Sequence, residues 1–402
     1  MDIFTKCLKD KTLKEVKKAR LLGYYPYFIP FDKLDGSRVW LKNRPLLMAG
    51  SNNYLGLSFD PRVKEAALKA LENYGTSCSG SRFLNGTIAL HEELEKKLAK
   101  FLGRKKALCF STGYQTNLGA ISALLASGDH IFTDRYNHAS IMDGIFLAEG
   151  LKGKIHVHRY RHNDPLSLEK ALASVPLKEP KLIVTDGVFS MEGDIVKLPQ
   201  LRELAQKYKA RLYLDEAHAL GVIGKTGRGT EEHWNLPGSC DIIMCTFSKS
   251  FGSLGGFIAG DVDIVDFIKH SSRPLIFSAS IPPANLAAVN AALDIIIAEP
   301  QRVKRLQEIA RFMLKSLKEA GFEVGTAESP IVPIITGNRD LTLKFWHTVL
   351  AKGVYTNVVL PPAVPPDRCL IRTSYMAIHT DEELKTIVKA LVEAGKKHKI
   401  LK

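Results

Sequence analysis

Seven short apolar runs, separated by stretches with apolar residues at three- and four-residue intervals, constrain the fold of this chain more than any other feature. The runs are KALCF (106–110), HIFT (130–133), KIHVHR (154–159), KLIVT (181–185), RLYLD (211–215), DIIMC (241–245) and GGFIA (255–259). Stretches such as 89–103 and 198–210 carry the helical spacing between them. Strands buried on both faces and linked by helical crossovers form a mostly parallel α/β sheet. In such a sheet, ligands gather beyond the carboxyl ends of the strands.

Past about residue 285 the pattern changes. Two long helical stretches (284–320), the strand-like IVPIIT (331–336), a helical 339–352, the proline-rich VLPPAVPPD (359–367), the strand CLIRTS and a terminal helix predict a smaller α+β domain. A chain of 402 residues exceeds the size at which one core stops growing. The expected division is an N-terminal helix and extended segment (1–60), a large α/β domain (61–285) and a small C-terminal domain (286–402). Within the first part, KCLKDKTLKEVKKAR (6–20) reads as a basic helix and GYYPYF (23–28) as an extended lead-in. That helix is either a solvated face or a contact for a membrane or carrier protein.

Lys and Arg number 56 against 42 Asp and Glu, a net charge of +14. Such a balance suits anionic partners: an acyl-CoA, an acidic carrier protein, a membrane surface or nucleic acid. The six cysteines are scattered without a C-x-x-C, which fits a reducing cytoplasm. The start, MDIFTKCLKDK, lacks the apolar segment of a secretory signal, and no apolar stretch reaches the length of a membrane span. A soluble, cytoplasmic protein is expected.

Two motifs are decoys. GVIGKTGRG (221–229) has the tail of a phosphate loop, but Ala219 stands where its first glycine belongs. HVHRYRH (156–162) alternates as a strand does and has no carboxylate or thiol companions, so no metal site is expected. No G-x-G-x-x-G follows a strand, which argues against a dinucleotide.

The remaining strand-end residues fit an aldehyde cofactor, pyridoxal phosphate. It needs a lysine for its aldehyde, an acid beside its ring nitrogen, a flat group over the ring and a cradle for a dianionic phosphate. Lys249 in TFSKSFG follows one strand end, where partial desolvation lowers an amine's pKa and frees it as nucleophile and base. Thr246 and Ser248 flank it with hydroxyls suited to phosphate oxygens. Asp215 ends an apolar strand, where an unpaired carboxylate is costly and a pyridinium N–H would satisfy it. His218, in the same DEAH, suits the ring oxygen; a capping loop is the other reading of that motif. In FSTGYQTNLGA, Gly113 and Tyr114 open a helix whose N–H groups favour a phosphate, or Thr112 is simply its cap. His138 in DRYNHAS suits stacking on the ring, or is a helix-start residue. Arg372 is a lone cation in an apolar strand, fit to grip an α-carboxylate or to close an internal salt bridge.

With SNNYLGL, GSRFLNGT, STGYQTNLGA, NHASI, DGVFSMEGD, DEAHALG, TFSKSFGSLGGF, RPLIFSAS and LIRTSYMAIHT, the whole chain resembles the pyridoxal-phosphate α-oxoamine synthases, fold type I of the aspartate aminotransferase class. The resemblance implies condensation of an amino acid with an acyl thioester, release of carbon dioxide and an α-amino ketone product. It implies Lys249 at the aldehyde, Asp215 at the ring nitrogen, His138 stacking, and Ser190 and His218 near the ring oxygen. It also implies Gly113, Tyr114, Thr246 and Ser248 at the phosphate, Asn53 and Arg372 at the substrate, and Ser278 reaching the phosphate of a neighbouring subunit, hence a homodimer with shared sites. Asn52, before Asn53, stands where some of these enzymes carry an aromatic residue. TFSKSFGSLGGFIAG, GSRFLNGT and GYYPYF are most similar to the soluble bacterial serine palmitoyltransferases, which implies L-serine, a long-chain acyl thioester and 3-ketosphinganine. The alternatives are the oxononanoate, aminoketobutyrate and quorum-signal ketone synthases. A binding protein with a retired site is opposed by the intact Lys249, Asp215, His138 and Arg372.

Overall fold

The computed structural model describes residues 2–401. All seven expected runs become strands of one sheet, two with their bounds unchanged and five shifted by a residue or two. Its order is Lys106–Phe110, Gly256–Gly260, Ile242–Thr246, Arg211–Asp215, Lys181–Asp186, His130–Asp134, His156–Tyr160. Gly256–Gly260 runs antiparallel to both neighbours, and the other pairs are parallel. The reason lies in its connection: residues 247–255 are fewer than the dozen or so that a parallel crossover needs, so the chain turns straight back. That short return carries Lys249.

Alternate residues of the strands feed two cores, as a period of two requires. Ile131, Val184, Tyr213, Met244 and Ile258 pack on one face, and Phe132, Ile183, Leu212, Leu214 and Ile243 on the other. The helix Gly113–Leu124 lies on the first face beside Ala139–Lys152. Gly144 allows that approach, because a Cβ there would stand 3.0 Å from the Asn117 carbonyl oxygen and 3.1 Å from Ile121 Cβ.

The basic stretch near the start is two helices, Ile3–Lys9 and Lys11–Leu21, divided at Asp10, whose carboxylate caps the second by accepting from Thr12 N at 2.7 Å. Residues 23–28 form no helix or strand. The strands Lys33–Asp35, Arg38–Leu41 and Arg44–Met48 form a meander that the sequence reading lacks, and Arg44–Met48 pairs in parallel with Val354–Tyr355. The meander, residues 33–48, is thereby built onto the C-terminal part. Residues 49–57 then cross between bodies, with Ala49 in the small core and Tyr54, Leu55 and Leu57 in the large one.

Pro283–Ala298 packs its Leu286, Val289 and Leu293 into the large core. Gln301–Glu319 runs through both: Val303 and Leu306 join the large core, and Ile309, Met313 and Leu317 the small one. The small body has a sheet of Ile331–Gly337, Cys369–Ser374 and Asn357–Val359, with Arg339–Ala351 and Asp381–Lys397 against it.

Candidate active site

A cavity of about 270 Å³ opens at the carboxyl ends of the parallel strands. Its wall includes Gly113, Tyr114, His138, Ser190, Asp215, His218, Thr246, Ser248 and Lys249, nine of the residues the sequence singles out. A larger cavity, about 510 Å³, lies at the opposite strand ends. There Lys181 donates to the Pro176 and Glu179 carbonyls and Arg211 pairs with Asp241, so its charged groups are already satisfied.

Asp215 ends its strand 3 % exposed. Its Oδ2 accepts from Asn117 Nδ2 at 2.7 Å and its Oδ1 from Ala217 N at 2.9 Å, so it both caps its turn and faces the cavity. Asn117 also donates to Ser140 Oγ at 2.9 Å and accepts from Tyr213 Oη at 2.9 Å, which leaves its amide with no freedom to rotate. Asp186, in register with Asp215 on the adjacent strand, accepts from His138 N at 3.0 Å. Burial, reinforced by the charge of Asp215, pushes the Asp186 carboxyl well above the ordinary range.

His138 caps the helix Ala139–Lys152 and also lines the cavity. Its Nδ1 lies 2.7 Å from Ser140 Oγ and accepts from Ser140 N at 3.3 Å. Burial lowers its pKa, with the charge of Asp215 opposing and that of Lys249 adding. Lys249 stands across from them, its pKa depressed to about 8 because burial outweighs the attraction of Asp215.

The opposite end of the cavity is a cradle for an anion. Thr112 Oγ1 caps the helix by accepting from Gln115 N at 3.1 Å, and the N–H groups of Gly113 and Tyr114 have no partner within the helix. Thr246 Oγ1 and Ser248 Oγ lie 2.9 Å apart beside them. A Cβ on Gly113 would come within 2.5 Å of Thr246 Oγ1, so only glycine brings the helix start this close. Free N–H groups and paired hydroxyls suit a phosphate dianion, and a buried acid with a poised amine suits the ring and aldehyde of pyridoxal phosphate. The residues present fit that group.

Arg372 is 5 % exposed. It donates to the Ser190 carbonyl at 2.6 Å, Asn52 Oδ1 at 3.0 Å, Tyr54 Oη at 3.3 Å and Ser374 Oγ at 3.4 Å. All four are neutral, and among the described residues no carboxylate pairs with it, which disposes of the internal salt bridge. Ser190 meets Arg372 through its carbonyl while its residue lines the cavity. Asn53 does not reach the cavity wall: its Nδ2 donates to Ser58 Oγ at 2.8 Å, and Asn52 is the asparagine that meets Arg372. Ser278 also lies off the wall, accepting from Gln115 Nε2 at 2.7 Å. Tyr114 donates from its hydroxyl to Asp143.

Sequence reasoning missed Asn117, Asp186, Ser140, Asn52 and Tyr54. Two had a signal. Asn117 follows Gly113 by four, on the same helix face, and TDG at 185–187 repeats the strand-end acid of LDE at 214–216. The phosphate-loop decoy is a turn in which Glu232 accepts from Thr226 N and Thr226 Oγ1 at 2.9 and 2.7 Å. In HVHRYRH, His156 and His158 stack with His130, and His162 bridges Asp134 and Asp194.

The family model for class I and II aminotransferases matches residues 45–391. A serine palmitoyltransferase of Sphingobacterium spiritivorum is 46% identical over 96% of this chain and 95% of its own length. An 8-amino-7-oxononanoate synthase of Thermoanaerobacter pseudethanolicus is 39% identical over 98% of both. Among solved structures, a serine palmitoyltransferase from S. paucimobilis with a bound PLP–myriocin aldimine superposes with a TM-score of 0.95 at 34% identity, covering 100% of each chain. The chain therefore belongs to the class I and II aminotransferase family, in its pyridoxal-phosphate-dependent α-oxoamine synthase branch.

Proposed function

We propose that this enzyme condenses L-serine with a long-chain acyl thioester, releasing carbon dioxide and forming 3-ketosphinganine. The observation that carries the reading is one cavity in which a lysine held near pH 8 faces a buried acid on the adjacent strand. Bound pyridoxal phosphate supplies an aldehyde for the substrate amine and a ring that accepts the electron pair released at its Cα. Asp215 would hold the ring nitrogen, fixed in orientation by Asn117. Gly113, Tyr114, Thr246 and Ser248 would hold the phosphate, with Ser278 serving a neighbouring copy of the chain.

Lys249, once free of the cofactor, has the basicity to take a proton from a carbon acid and return it near neutral pH. His138, kept neutral by burial and turned by Ser140, offers its ring to orient the substrate. Arg372 binds the substrate carboxylate, because four neutral partners leave its charge uncompensated.

Steady-state assays with serine, alanine and glycine against acyl thioesters of graded length, on coenzyme A and on carrier protein, test the proposal. Serine with a chain near palmitoyl is the expected optimum. Alanine with a pimeloyl thioester as the better pair would move the enzyme to the oxononanoate reaction.

Six unpaired cysteine thiols support a cytoplasmic setting, and no described helix is long and apolar enough to cross a membrane. The exposed Ile3, Phe4 and Leu8 among the lysines of the first two helices support a peripheral contact with an anionic bilayer. Sedimentation with anionic and neutral vesicles tests it.

A further inference from the structure

Tyr54 is fully buried, and its hydroxyl oxygen stands at a junction: 2.7 Å from His218 Nδ1, 3.3 Å from Arg372 Nη2 and 3.3 Å from Asn52 Oδ1. A phenol has one proton to give, and a guanidinium only donates. The proton of Tyr54 therefore goes to His218 or to Asn52. Three facts select the imidazole. A separation of 2.7 Å is that of an O–H donor, shorter than the roughly 2.9–3.0 Å usual where an N–H donates to oxygen. Asn52 Oδ1 is farther away and already accepts from Arg372 at 3.0 Å. Finally, the guanidinium that donates to the phenol oxygen polarises its O–H bond and strengthens the onward donation.

His218 is buried and faces Lys249 and Arg372, so desolvation first, and then the charges of those two groups, hold it well below the ordinary imidazole range. A neutral imidazole carries one N–H. We infer that Tyr54 is a positioning residue that sets the His218 tautomer: Nδ1 accepts from Tyr54, the ring proton sits on Nε2, and His218 presents an N–H donor to the cavity. The inference rests on the proposed function only for what that donor meets, an oxygen on the ring of pyridoxal phosphate. It gives the SNNYLGL segment, far from the cofactor lysine in sequence, a direct part in tuning the cofactor. It also links the carboxylate-binding Arg372 to the ring through one hydroxyl.

The test is nitrogen-15 NMR of histidine-labelled protein, with cofactor bound and after its removal, using His218→Gln to assign the signal. Wild type is expected to show a protonated Nε2 and a bare Nδ1 at His218 in both states. Tyr54→Phe is expected to move the proton to Nδ1 or to mix the two forms, whereas Asn52→Ala, which keeps the phenol, leaves it on Nε2. In holoprotein, Tyr54→Phe is expected to raise the pH at which the visible band changes by roughly half a unit or more, because the ring oxygen's anionic form loses a donor. Wild type with Nδ1 protonated overturns the inference before any variant is made. So does Tyr54→Phe protein with the ring nitrogens of His218 unchanged. A protein that binds no pyridoxal phosphate yet shows the Nε2 proton sinks the proposed function and sustains the tautomer.

Discussion

Lys249 owes its chemistry to two opposed influences, burial that disfavours its ammonium and Asp215 that favours it, and burial prevails. The neutral amine is the nucleophile, so the rate of cofactor capture by cofactor-free protein should climb with pH through about 8 and then level. Stopped-flow absorbance measures it, and a flat profile from pH 6 to 9 would contradict it. Lys249→Ala should lose the visible band and cut turnover at least about a thousandfold. Asp215→Asn should retain the fold and the colour but lose turnover by a similar factor, because a neutral amide cannot keep the ring nitrogen cationic. Single-turnover kinetics with bound cofactor would reveal it; near-normal turnover would remove Asp215 from its assigned role. At this scale the sequence led to one cavity wherever an unusual residue stood at a strand end, since Lys249, Asp215, His138 and His218 all line its wall. It carries no pattern that separates the adjacent Asn52 and Asn53, two identical side chains of which the first meets Arg372 and the second Ser58. It failed at Tyr54 for another reason: its partner His218 lies 164 residues away, beyond any local pattern.

Among elements, six of the seven strands were legible because they are apolar on both faces and the edge strand His156–Tyr160 by its alternation, yet periodicity carries no direction, and the reversal of Gly256–Gly260 follows only from the brevity of its connection. The N-terminal meander was hidden by its short strands and by turns at Gly36–Ser37 and Lys42–Asn43, the latter pair at φ 52° and 61°. An ion-pair relay ties other elements. His162 sits 3.1 Å from both Asp134, at the end of one central strand, and Asp194, in the loop after another. Although burial opposes it, hydrogen bonds to the two carboxylates raise its pKa to about 10. A raised pKa in the folded state stabilises the protein fully below the unfolded value, near 6.5, and that gain fades as pH climbs through about 10. His162→Gln should therefore lower the melting temperature most at pH 6, with the gap to wild type narrowing toward pH 10. A gap independent of pH would show that packing, not charge, is what the imidazole contributes.

For the molecule as a whole, Gln301–Glu319 acts as a beam threaded through two cores. Leu306→Ala in the large core and Met313→Ala in the small one should each destabilise by roughly 2–5 kcal/mol in urea titrations. Because one helix serves both, the buried thiols Cys245 and Cys369, one in each core, should become reactive at the same denaturant concentration. Separate midpoints would show the bodies to be independent. The hydrogen bond from Arg372 to the Ser190 carbonyl has a consequence on the same scale. It anchors a cation carried by the small body to the loop that extends the Lys181–Asp186 strand of the large one. On the proposed reading, an arriving amino acid would find its receptor already aimed, would forfeit little freedom of the host in docking, and would act as a clasp between the two bodies.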